Sequence, residues 1–271
     1  MKKHLYDTIA DRWLNSKGSV WIISDTHFSE LDCYKLRFPN TFQPGTEYMH
    51  DSLVEKLDKM QIKNINSKCG KNDTLIILGD VGDIEWVRNL KARYKILVMG
   101  NHDKGASNYK KEKWQTAKLH YYTDNSKPFA SFKLSDYSAF AIPKVMDELL
   151  DKAKKEHADY AEGYWTWKLY DEDNHLFDEV YEGPLMINDR VILSHEPIDV
   201  PKYMFNIHGH THALPYKYDD RHLNMCAEAI DYTPINLLNL IKNGLLSKTD
   251  SIHRETIDKA VIRKENKKSN K

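Results

Sequence analysis

The chain has 271 residues, 41% of them hydrophobic and 30% charged, and its 40 basic and 40 acidic side chains give a formal net charge of zero. That length supports a full core, as one large domain or as one domain carrying a sizeable insertion, and neutrality excludes a global field that would gather nucleic acid or an anionic membrane. Three unpaired-looking cysteines, Cys33, Cys69 and Cys226, point to neither a disulfide framework nor a zinc ribbon. Residues Met1 to Asp7 lack the apolar core of a signal peptide and no stretch is long enough to span a bilayer, so a cytoplasmic protein without a membrane partner is expected.

The first predicted strand is Ser19–Ile23, which breaks into Ser24-Asp25-Thr26-His27. Residues two apart on extended backbone point the same way, so Asp25 and His27 can face one point, although a turn former or a surface residue is the alternative for either alone. Met49, Leu53, Val54, Leu57 and Met60 recur at helical spacing and predict a packing helix over 46–60 with Thr46 as its cap. The turn cluster Cys69–Asp73 leads into a buried strand, Leu75–Leu78, closed by Gly79-Asp80-Val81-Gly82-Asp83, and a second helix is expected over 84–93. A third apolar run, Lys95–Met99, breaks into Gly100-Asn101-His102-Asp103.

From about 104 to 175 the texture changes to Lys, Glu, Tyr and Trp, and this stretch reads as an insertion. Within it a strand is predicted at Ala130–Leu134 and a helix over 144–160, while Tyr160, Tyr164, Trp165, Trp167 and Tyr170 are dense enough to pack a small subdomain; a stacking surface for a substrate ring is the other reading. The strand pattern resumes at Arg190–Leu193, which breaks into Ser194-His195-Glu196-Pro197, and at Met204–Ile207, followed by His208-Gly209-His210-Thr211-His212. Pro234–Ile241 closes the domain, and the tail of 248–271 carries a local basic excess expected to be solvated.

Asp25, His27, Asp80, Asn101, His195, His210 and His212 thus all fall on loops just past predicted strands. Seven oxygen and imidazole donors are too many for one ion and suit two divalent ions sharing a bridging carboxylate, for which Asp80 is the natural candidate. His208 could stand behind the site or be a satisfied strand histidine, and His50, His120, His157, His175 and His222 have no motif context.

The ordered blocks Asp25-Thr26-His27, Gly79–Asp83, Gly100–Asp103, His195 and Gly209–His212 make the chain resemble the calcineurin-like metallophosphoesterase superfamily, and within it the small bacterial and phage phosphoesterases that open with a similar Trp-Ile-Ile-Ser-Asp-Thr-His-Phe. The resemblance covers roughly residues 19–103 and 176–240. It implies an α/β fold of four layers, two packed sheets flanked by helices, for a domain read over residues 1–247; the segment of about 104–175, mostly outside the resemblance, is expected to be a helical, cap-like insertion. The resemblance also implies one metal on Asp25, His27, Asp80 and His212, and another on Asp80, Asn101, His195 and His210. A bridging hydroxide would then attack phosphorus in line, with His102 as the catalytic residue beside the phosphate and Asp83 orienting it or capping a helix. Manganese is the first expectation for the metal, with iron, nickel, zinc and cobalt compatible with the same donors.

Asp83 is followed by Ile84 rather than the Arg-Gly of protein phosphatases, and the third block ends in Asp103 where those enzymes have Glu. Both departures turn the expectation away from a protein phosphatase and leave phosphodiester and phosphomonoester hydrolysis, of which a small nucleotide-like phosphodiester is the expected substrate. Phosphomonoester hydrolysis, a nuclease acting on DNA or RNA, and a non-catalytic metal-binding scaffold are the alternatives.

Overall fold

The structure, a computed structural model, describes residues 18–121, 127–158, 164–187, 190–247 and 249. Asn188 and Asp189, which read from the sequence as the turn before the Arg190 strand, the end of the helix expected to reach Tyr160, and nearly all of the basic tail lie outside them.

The apolar runs form a five-stranded sheet. Strands β1 (Val20–Ile23), β2 (Thr74–Ile77) and β3 (Tyr94–Val98) are parallel neighbours, β7 (Glu179–Tyr181) continues them in parallel, and β12 (Ile235–Asn236) pairs antiparallel with β1 at the other edge. A parallel sheet is covered on both faces, which is why β2 is buried at every residue and reads as an unbroken apolar run. A second sheet runs in the order β11 (His222–Asn224), β10 (Phe205–His208), β9 (Val191–Leu193) and β8 (Leu185–Met186), parallel except for β8. One hydrophobic core takes Ile22, Ile76 and Leu97 from the first sheet and Val191, Phe205 and Ile207 from the second, so the sheets face each other across it. The backbones also meet directly where their strands end, through the bond from the Ser24 amide to the Met225 carbonyl at 2.8 Å and a bridge between Ser24 and Cys226.

Two helices frame the β1 loop: α1 (Leu31–Arg37) and α2 (His50–Lys68). The inward stripe of α2 is Val54, Asp58, Gln61 and Ile65, spaced for one helical face but half polar. This helix begins later and runs further than the pattern over 46–60 predicts. The Thr46 hydroxyl donates to the Gln43 carbonyl (2.6 Å) in a turn ahead of it, and Met49 holds the cap position. The helix expected over 84–93 is a 3-10 segment, Ile84–Asn89, capped by Asp83.

Residues 111–175 form a compact unit of their own, leaving the first unit after β3 and returning to it before β7. The expectation of a largely helical insertion is corrected here. The unit contains α3 (Ile142–Glu156) and also an antiparallel sheet in which β4 (Lys113–Tyr121) pairs along its whole length with β6 (Trp165–Asp173) and with β5 (Ala130–Lys133). Lys, His, Glu and Asp on the two long strands dilute their alternation, and cross-strand pairing supplies what local pattern lacks. The aromatic cluster packs this unit: Trp165 meets Tyr121 and Phe129 edge-on, and Trp167 meets Phe132. No helix among the described residues is long and apolar enough to cross a membrane.

Candidate metal centre

The parallel strands β1, β2, β3, β9 and β10 all deliver the residue types picked out above at their carboxyl ends. The turns there are tight enough to force left-handed backbone on residues that rarely adopt it: Asp25 (φ 55°), His27 (φ 45°), Asp80 (φ 50°) and His210 (φ 65°). Such conformations each cost about 1–3 kcal/mol and persist where the surroundings over-determine them. Gly209 shows how close the approach is, since a methyl group there would lie 2.2 Å from Asp25 Oδ2 and 1.9 Å from Ser24 Oγ. Gly79 likewise combines φ 85° with a space that Gly100 and His195 leave to a hydrogen alone.

Two donor groups result. Asp25, His27 and His212 form one, and Asp80, His195 and His210 the other, each with its ligand atoms within 4.8 Å of one another. Asp80 Oδ2 joins them, 3.3 Å from His195 Nε2 and 3.8 Å from His27 Nε2. His212 Nε2 is 3.4 Å and His27 Nε2 3.8 Å from Asp25 Oδ1. Asn101 Oδ1 lies 2.9 Å from His195 Nε2 and 3.2 Å from His210 Nδ1, completing the second group. All seven side chains expected to bind metal are therefore brought together, six in the two groups and Asn101 against two of them.

The donor chemistry fits divalent ions. Asp25 Oδ1 and His27 Nε2 are buried without a hydrogen-bond partner and face the same space, and a buried carboxylate oxygen facing an imidazole nitrogen is costly unless a cation lies between them. His195 Nδ1 donates to the Leu78 carbonyl (2.8 Å), which turns Nε2 toward Asp80 Oδ2, Asn101 Oδ1 and His210 Nδ1, the first two of them acceptors only. These imidazoles therefore compete for positive charge. Burial, the largest influence, lowers the His27 pKa, but the neighbouring Asp25, Cys33 and Glu30 outweigh burial and raise it to about 11. Burial also opposes His195, whose pKa is raised nonetheless by Asp80 and Asp25. The carboxylates respond in kind: burial would lift Asp25 and Asp80, yet contacts with His27 and His195 hold both below the ordinary range. Oxygen and imidazole donors in this mixture accept manganese, iron, zinc, nickel or cobalt.

His102 is exposed at the rim. Its amide donates to Asp80 Oδ1 (2.9 Å) and its ring stands edge-on to His27 with centroids 5.6 Å apart. Asp83 is engaged with the backbone of its own segment. Its Oδ1 accepts from the Glu85 amide (3.0 Å) as the cap of the 3-10 segment, and no hydrogen bond joins it to His102 among the described residues. Its place is explained by the turn at Gly82, which starts that segment and leaves the first amides needing an acceptor.

Several supporting residues stand outside the seven donors. Asp103 braces the Asp80 loop by accepting from the amides of Asp80 (3.0 Å), Val81 (3.1 Å) and Gly100 (2.8 Å). Beneath the Asp25 loop, Gln61 donates to the Thr26 carbonyl (2.9 Å), and Asp58 accepts from Ser29 and from the Tyr34 hydroxyl. Glu30 holds His27 Nδ1 at 2.7 Å, and Glu228 holds His212 Nδ1. Asp103, which closes the third motif block, and Glu30, three residues after His27, had a local signal; the others had none. His208 is satisfied by the Gly209 carbonyl and the Tyr218 hydroxyl, and His222 by Asp219 and the Ile198 carbonyl. Glu196 lines a cleft beside Asn101 and His195.

Among solved structures, a protein of unknown function from Aquifex aeolicus is similar at 19% identity, over 84% of this chain and 100% of that one, with a TM-score of 0.43. No curated protein matches the chain. The family model for calcineurin-like phosphoesterases matches residues 18–214, a span that runs from the start of β1 past the last of the seven donors. The chain belongs to the calcineurin-like phosphoesterase family.

Proposed function

We propose that the protein hydrolyses a small phosphodiester, nucleotide-like in size, with two divalent ions held by Asp25, His27, Asp80 and His212 on one side and by Asp80, Asn101, His195 and His210 on the other. The observation that carries this reading is the position of Asp80 Oδ2 between His27 and His195, where one carboxylate oxygen can serve both groups. Bound there, the ions would supply Lewis acidity toward the phosphoryl oxygens and a nucleophilic water near neutral pH.

The chain's own residues position and exclude. The backing of Nδ1 on His27 by Glu30 and on His195 by Leu78 leaves each Nε2 to face inward. His102, exposed and tethered by its amide to Asp80, is placed to stabilise charge or give a proton to the leaving oxygen. Preference for a diester is supported by the cleft of about 340 Å³ beside Asn101 and His195, walled by Met99, Pro184, Pro197 and Ile198 and edged by Glu182 and Glu196. Apolar walls suit an uncharged alcohol group, and the carboxylates repel the extra charge of a terminal phosphate.

The test is the metal-stripped full chain assayed with bis-p-nitrophenyl phosphate and p-nitrophenyl phosphate, restoring manganese, iron, zinc, nickel or cobalt one at a time. Metal-dependent diester cleavage, lost in Asp80→Ala and reduced by about 10²–10⁴ in His102→Ala, is the expected result. Monoester preference would redirect the reading to nucleotide or sugar phosphates. Failure on both esters with metal bound would favour a scaffold.

A further inference from the structure

Two side chains of the first unit stand outside the ligand set and meet at one imidazole. Glu228 Oε1 accepts from His212 Nδ1, and Glu228 Oε2 pairs with Arg37 Nη2 at 3.2 Å. The same Nη2 donates to the Asp25 carbonyl (2.7 Å) and lies 3.4 Å from His212 Nδ1. Arg37 stands at the end of α1 with its side chain only 5% exposed, and its Nε and Nη1 are buried without partners. A guanidinium so enclosed is unfavourable, and its one engaged nitrogen is spent on Glu228 and on the backbone of Asp25.

We propose that Glu228, held by Arg37, is a positioning residue that fixes His212 with Nε2 toward Asp25 and strengthens that nitrogen as a ligand for one ion of the pair; this rests on the metal-binding reading above. The reason is specific to His212. His27 is fixed by Glu30 from within its own loop and His195 by a backbone carbonyl, whereas His212 projects from an exposed turn, its side chain 40% accessible. Among the described residues, no hydrogen bond from its own turn restrains that ring. An imidazole free to turn about its side-chain bonds loses affinity for metal, and a carboxylate on Nδ1 both stops the rotation and raises the basicity of Nε2. His210 and Asn101 have no contact with Glu228 or Arg37 among the described residues, so the effect is confined to the ion at Asp25, His27 and His212.

The experiment is Mn²⁺ titration of the metal-free full chain, followed by calorimetry and by the electron paramagnetic resonance of free Mn²⁺, for wild type, Glu228→Ala, Glu228→Gln and Arg37→Ala. Glu228→Ala should weaken one of two binding steps by about 10–100-fold and leave the other within about threefold. Glu228→Gln, whose amide oxygen can still accept from Nδ1, should fall between Ala and wild type, and Arg37→Ala should move the same step. If Glu228→Ala does not fold, Glu228→Gln alone decides, with its metal-free circular dichroism as the control. Two unchanged steps in the folded variant, or both steps weakened together, would overturn the proposal while leaving the metal-binding reading intact. Wild type that binds no Mn²⁺ would overturn both.

Discussion

Tyr34→Phe isolates the network beneath the Asp25 loop. Tyr34 is fully buried, its hydroxyl donating to Asp58 Oδ1 at 2.5 Å and accepting from Gln61 Nε2 at 2.6 Å. Burial and the neighbouring Asp58 push the phenol pKa up, so the hydroxyl remains a donor at every working pH. Replacing it leaves the ring in place and opens no cavity. Gln61 keeps its bond to the Thr26 carbonyl and Asp58 keeps the Ser29 amide. What is lost is two buried hydrogen bonds, the one donated to the Asp58 carboxylate and the one accepted from Gln61, together about 2–4.5 kcal/mol, which for a domain of this size lowers the melting temperature by about 4–18 °C. Thermal and urea unfolding of the metal-free chain measure it. A difference below about 0.5 kcal/mol would refute the claim that Asp58 depends on Tyr34.

Two further outcomes are expected. Gly209→Ala drives a methyl group to within 2.2 Å of Asp25 Oδ2, which is fixed by the His210 amide at 2.9 Å, so the strand ends must part. The variant should lose about 1–3 kcal/mol of stability and bind Mn²⁺ more weakly, and wild-type unfolding and titration curves would show that the close approach is unimportant. Because the His27 pKa is raised from 6.5 to about 11, the folded metal-free protein holds a proton that the unfolded chain has released. Its stabilising contribution is complete below about pH 6.5 and declines as pH rises toward 11. Urea midpoints from pH 7 to 9 should therefore fall more steeply in wild type than in His27→Gln. Metal binding should show the opposite trend, strengthening as protons leave the imidazoles. Equal slopes in the two proteins would contradict the shift.

Local pattern reached the strands of the main unit because parallel strands buried on both faces are written as uninterrupted apolar runs: β1, β2, β3, β9 and β10 lie within one residue of the spans read from sequence. The donors were legible for the same reason, since each sits where such a run stops. The pattern faltered where an element's stability comes from a partner. The long strands β4 and β6 mix lysine and acid with aromatics and are recognisable only when paired residue by residue, and the inward face of α2 is half polar because Asp58 and Gln61 serve the loop of another element.

What the sequence by itself determined is the kind of chemistry: seven side chains of metal-ligating type, their placement after strands, and their order. Tertiary structure alone decided how they are grouped and held. That Asp80 stands between His27 and His195, that four of the donors sit on left-handed backbone, and that Asp103, Glu30, Glu228 and Arg37 brace the loops follow from contacts between segments as far as 201 residues apart, such as Cys226 and Asp25. Spacing along the chain carries no record of such contacts. They exist because two sheets converge at one edge, closely enough that only glycine fits at 79 and 209.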